Sequence, residues 1–71
     1  MLRPGDLRAA RGVEPFRPFL LRLTDGRAIS VPHPEFLSVS PTGRTCVVWK
    51  TDGTQHILSV SLITSIDFVA A

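Results

Sequence analysis

The residues best suited by type to do chemistry are His33 and Glu35, in the run Pro32-His33-Pro34-Glu35-Phe36. A histidine beside a carboxylate can act as a general base or join a metal site. Catalysis also needs a nucleophile or an oxyanion donor around that base, and nothing nearby in the chain supplies one. The two prolines read instead as a rigid turn, with Phe36 plugging the end of a core. His56 follows a turn and reads as a cross-strand partner of Val48 or Trp49. Cys46 lies inside a β-prone run. A reactive thiol wants a close cation or helix N-terminus, and Arg44 two residues away is weak support, so an inert thiol is expected. One cysteine and two histidines at scattered positions do not have zinc-site spacing. Trp49, the single tryptophan, serves either as packing or, if exposed, as a stacking surface for a partner or a base. Gly26 and Gly53 belong to turns that open no helix, so no phosphate-cradling loop is expected. The chemistry-bearing residues point away from an enzyme and toward no cofactor and no metal.

What must position these residues is a chain of 71 residues, and so short a domain has a marginal core. A single cysteine cannot form an internal disulfide. The remaining supports are a tightly closed sheet or association between copies. The formal charge is +2, and it belongs to residues 1–17, where Arg3, Arg8, Arg11 and Arg17 face Asp6 and Glu14. The remaining charges cancel. A basic leader is either a solvated terminus or a contact for nucleic acid or an anionic surface. In the second case the contacts expected are Arg3, Arg8, Arg11, Lys50 and Trp49. No run approaches a membrane span or a secretory leader. Together with the free cysteine, that leads to the expectation of a cytoplasmic protein.

Residues 1–15 read as an arm with a short helix. Asp6 is the expected N-cap, Leu7 and Ala10 the docking residues and Gly12 the stop. Residues 16–71 read as a small β-barrel. Phe19–Leu23 and Ala28–Val31 flank Asp25-Gly26, a strong hairpin signal. The second strand breaks at Pro32-His33-Pro34 and alternation resumes through Leu37 and Val39. Thr45–Lys50 and Gln55–Val60 flank a second Asp-Gly pair, and Ser65–Val69 closes the chain. The expected core is Phe19, Leu21, Leu23, Ile29, Val31, Leu37, Val39, Val47, Ile57, Val60, Ile63, Ile66 and Phe68. Leu20, Val48 and Leu58 then fall on the outward register, and a second buried surface between subunits is expected there.

The strand order resembles the Sm-like variant of the SH3-like barrel. Phe19–Val31 looks like the opening hairpin, and Leu58–Ile66 is similar to the closing segment of bacterial Sm-like RNA chaperones. Pro15-Phe16-Arg17-Pro18-Phe19, Leu23-Thr24-Asp25-Gly26-Arg27 and Val31-Pro32-His33-Pro34-Glu35 resemble a set of small bacterial proteins that carry no known activity. The Sm comparison implies rings in which the fourth strand of one subunit pairs with the fifth of the next, and RNA at the pore. Ser59-Val60-Ser61 stands where the chaperones close with Tyr-Lys-His.

The fold class expected is therefore all-β: a five-stranded SH3-like/Sm-like barrel with a short N-terminal helix. The function expected is a non-catalytic, oligomeric binding or scaffolding module of unknown ligand. The expected subunit interface is Leu58, Ser59, Val60, Ile66 and Phe68, and His33 with Glu35 is held as a possible polar site. The alternative is an RNA- or DNA-binding Sm-like ring that uses the basic arm.

Overall fold

The computed structural model describes residues 2–69. Residues 1, 70 and 71, the extreme ends of the expected arm and barrel, lie outside them. One helix, α1 (Pro4–Arg11), precedes six strands: β1 (Phe19–Leu23), β2 (Ala28–Val31), β3 (Leu37–Val39), β4 (Thr45–Trp49), β5 (Gln55–Ser59) and β6 (Ile63–Phe68). Single 3₁₀ turns, Pro34–Phe36 and Val60–Leu62, stand before β3 and β6.

The strands form two antiparallel three-stranded sheets, in the orders β2-β1-β6 and β3-β4-β5. This corrects the expectation of one five-stranded closed barrel. The physical reason lies in Pro32-His33-Pro34. Pro34 opens a 3₁₀ turn, and a proline cannot donate to a ladder. The interruption at this point divides one expected strand into β2 and β3, which belong to different sheets.

α1 begins one turn earlier than expected. Arg3 is the N-cap and Pro4 takes the first turn, where its missing N–H is no loss. Asp6 sits at the third helical position, and its Oδ2 accepts the Arg3 backbone N–H at 2.8 Å. Gly12 ends the helix as expected. Leu7 and Ala10, three apart on one face, are buried and join the main core. Eight residues are too few to hold a helix by themselves, so this docking holds α1 in place.

The core holds Phe19, Leu21, Leu23, Ile29, Val31, Leu37, Val60 and Ile63, all anticipated. It also holds Cys46, Val48 and Leu58, which corrects the outward placing of Val48 and Leu58. Thr45–Trp49 is apolar on both faces, so alternation fixes a pair of faces without saying which turns inward. The structure turns in the compact pair Cys46 and Val48 and leaves the large Trp49 out. β5 follows by register, because Val47 lies opposite Ile57 and Cys46 opposite Leu58. Val47 is consequently half-buried and Ile57 is 68% exposed.

Val39, Ile66 and Phe68 also fall short of the burial expected. Ile66 and Phe68 lie directly opposite Leu21 and Phe19, so they share the core-facing side. β6 nevertheless ends its sheet. With no strand beyond it, Ile66 stays half-buried and Phe68 is 41% exposed.

Candidate functional site

A groove of about 500 Å³ lies between β2 and the end of the β4–β5 hairpin. Its origin is topological. β2 has β1 as its one strand neighbour, so its other side is unpaired. β3 pairs with β4 from Val39 opposite Cys46 to Leu37 opposite Val48, and there it stops. Trp49 and Lys50 run past the end of β3 with no strand on that side. The groove lies between these two unpaired stretches of backbone.

Buried Ile29 and Val48 line it with half-buried Phe36 and His56. Exposed Ala28, Ser30 and Trp49 line it as well, and Trp49 is 42% exposed. At one end stands the Lys50–Thr54 turn. Asp52 Oδ1 accepts the Thr54 backbone N–H at 2.9 Å and the Thr54 hydroxyl at 2.6 Å. These bonds hold the Asp52 carboxyl below its usual 3.8, with a smaller contribution from the Lys50 charge. Lys50 itself takes part in no ion pair among the described residues, where the pairs are Arg22–Asp67 and Arg27–Asp25. The groove therefore combines apolar walls, two backbone edges, the Lys50 ammonium and the Asp52 carboxylate.

His33 and Glu35 are both exposed, one on each side of Pro34. No hydrogen bond or ion pair joins them among the described residues. The His33 ring packs on Phe36 with centroids 5.7 Å apart, and its carbonyl accepts the Phe36 N–H at 3.0 Å. This is the geometry of a braced corner, and neither residue lines the groove. His56 lies opposite Val48, the cross-strand position read from the sequence. Among the described residues no three His, Cys, Asp or Glu side chains gather closely enough to hold a metal ion.

The candidate nucleic-acid contacts divide into two groups. Trp49 and Lys50 line the groove. Arg8 and Arg11 belong to α1 and are already engaged. One terminal nitrogen of Arg8 donates to the Ser40 carbonyl at 2.8 Å, and Arg11 Nε donates to the carbonyls of Leu37 and Pro34 at 2.8 and 3.0 Å. Arg3 is exposed beside them at the helix start. The same two arginines border a second hollow of about 400 Å³ with Ser38 and Val39. Sequence composition gave the arm its positive charge; it could not show that two of the cations fasten α1 to β3.

Of the expected subunit contacts, Leu58 and Val60 are core residues and drop out. Ser59 is exposed on β5, while Ile66 and Phe68 stand on β6. Sequence reasoning missed Ile57, which replaces Leu58 as the outward apolar residue of β5. The signal was present in the Val47–Ile57 pairing, which forces both residues out together.

No helix among the described residues is long and apolar enough to cross a membrane. Scanned against protein-family models, curated proteins and solved structures, the chain finds no significant match.

Proposed function

We propose that this protein is a non-catalytic binding or scaffolding module that works as a homo-oligomer, assembled by pairing β5 of one copy with β6 of the next. The observation that carries the reading is the unequal treatment of sheet edges. An uncovered edge is a template for another strand, and proteins that stay single usually blunt it. The outer side of β3 is covered by α1 through Arg8 and Arg11. β5 and β6 end their sheets, and each presents an exposed apolar side chain, Ile57 and Phe68, with the Arg17 guanidinium 4.8 Å from the Phe68 ring centroid.

Phe68 faces the same way as Phe19, and their rings stand 5.9 Å apart in an edge-to-face arrangement. A strand added beyond β6 would complete the burial of Ile66 and Phe68. Because the two surfaces differ, the contact is head-to-tail, and it closes into a ring if the rotation allows. Strand-to-strand assembly is also what the Sm-like resemblance implies. The burial of the Cys46 thiol supports the non-catalytic part of this reading.

The test uses two charge substitutions at exposed positions. Light scattering behind size exclusion should give one discrete oligomer for the native chain, against a 7.8 kDa monomer mass. Ile57→Asp and Phe68→Asp should each sediment as monomers, with far-UV circular dichroism unchanged. Mixed together they should form a 1:1 heterodimer, since each keeps the edge that the other has lost. A native monomer at micromolar concentration overturns the reading.

A further inference from the structure

The groove beside Trp49 lies on edges that this assembly does not use. We infer that it is a docking site for an extended peptide carrying one large apolar side chain and a neighbouring carboxylate. The inference rests on reading the chain as a non-catalytic binding module, but it does not depend on the assembly.

Two features of the groove select backbone as the ligand. The free side of β2 offers the outward-facing N–H and C=O groups of alternate residues, Ala28 and Ser30, because Ile29 and Val31 spend theirs on β1. At a rise of about 3.3 Å per residue, that edge accepts a segment of four or five residues. Strand addition of this kind draws affinity from main-chain hydrogen bonds and specificity from pockets that take alternate side chains. The volume of about 500 Å³ falls within the usual range of ligand pockets.

Two further features select the side chains. Ile29, Val48 and Phe36 form an apolar recess for one bulky residue. Lys50 supplies the charge complement. Asp52, which also lines the groove, has one carboxylate oxygen committed to Thr54, and Lys50 takes part in no ion pair among the described residues. A ligand carboxylate one or two positions from the anchor meets that ammonium. Pro32 borders the groove at the other end, where it has no N–H to compete with an incoming strand.

Trp49 makes the inference directly measurable, because it is the single tryptophan and lines the groove. The probes are capped hexapeptides of alternating Thr and Val with a central Leu or Phe and either Glu or Lys beside it. The Glu peptides should shift Trp49 emission and move the Ala28–Val31 amide resonances. They should bind roughly five-fold tighter than the Lys peptides, the range of an exposed ion pair. Lys50→Glu should reverse that preference. N-methylating the backbone amides that face β2 should weaken binding about five-fold for each hydrogen bond lost.

The same titrations on Ile57→Asp separate this site from the assembly, since loss of oligomers leaves peptide binding intact. The inference is overturned if no peptide moves Trp49 emission or the β2 amides at millimolar concentration. It is equally overturned if N-methylated and plain peptides bind alike, or if single-stranded oligothymidylate displaces them at these residues.

Discussion

Arg11 Nε donates to the carbonyl of Leu37, at 2.8 Å, across 26 residues of chain. The bond ties the last turn of α1 to the first residue of β3. With the Arg8–Ser40 bond it covers the outer side of a strand that would otherwise be open. The same guanidinium also reaches the Pro34 carbonyl, so it braces the corner where β2 gives way to β3.

Arg11→Ala should therefore act on stability and on edge protection together. A hydrogen bond from a charged donor contributes about 1.5–3 kcal/mol, and partial exposure of this one places it at the low end. The urea midpoint should fall accordingly, and Arg11→Lys should recover only part of it, because both carbonyls share the Arg11 Nε–H and lysine carries a methylene at that position of the side chain. Hydrogen exchange should quicken at Leu37–Val39 more than at β1. Equal acceleration across both sheets would mean that Arg11 contributes only general stability.

A second tie between α1 and the strands is steric. Gly43 has φ +74°, and a Cβ added there would sit 2.7 Å from both Cβ and Cγ of Pro4. Gly53 has φ +90° with open space around it. Both positions resist a side chain through backbone strain of about 1–2 kcal/mol, but Gly43→Ala must also push Pro4 aside. Gly43→Ala should then lower stability clearly more than Gly53→Ala. In a double-mutant cycle, Pro4→Gly should relieve part of the Gly43→Ala loss. Additive losses would show that the helix start does not press on this turn.

The strands were legible where turn chemistry is strong. Asp25-Gly26 and Asp52-Gly53 located both hairpins, and Gly12 located the helix end. The alternation of Phe19, Leu21 and Leu23 named a core face correctly, because Arg22 contrasts with it. It failed across Thr45–Trp49, where neighbouring residues are apolar on both sides and only packing volume decides. One inverted choice there misplaced Val47 and Ile57, along with Val48 and Leu58, since hairpin register couples them. The proline break was visible, but its consequence for sheet membership was not, because a strand interruption does not announce which sheet follows. The groove was invisible for the same reason: it arises from where β3 stops, and Trp49 and Lys50 were noted without the wall opposite them.

Acid should loosen the β1–β6 pair. The hydrogen bond from Arg22 Nε to Asp67 Oδ2, at 2.7 Å, holds the Asp67 carboxyl below its usual 3.8, with Ser65 and the Arg22 charge assisting. A carboxyl depressed in the folded state stabilises above its unfolded value. That contribution is lost as pH falls through the folded one. Urea midpoints should therefore stay level from neutral pH down to about 4 and fall below it. Asp67→Asn should be slightly less stable at neutral pH, and its midpoint should fall less steeply in acid. Asp25, held down first by the Arg27 backbone N–H and then by its guanidinium, and Asp52, held down by Thr54, each act within one turn and leave a residual slope. An unchanged slope in Asp67→Asn would assign the acid response elsewhere.

Cys46 provides a readout of opening. Its thiol is buried, and burial raises its pKa above the usual 9.0, so at neutral pH it is protonated as well as shielded. The thiolate is the reactive form, so both effects suppress alkylation. Cys46 lies opposite Leu58 at the centre of β4–β5, and exposing it requires separating that hairpin from the core. Iodoacetamide labelling of the native chain should therefore be slow, and its urea dependence should track global unfolding. Arg11→Ala should accelerate labelling only as far as its loss of stability requires. Ile57→Asp, which alters the outward face alone, should leave the rate per folded subunit nearly unchanged. Rapid labelling under native conditions would show that β4 and β5 open independently of the rest of the core.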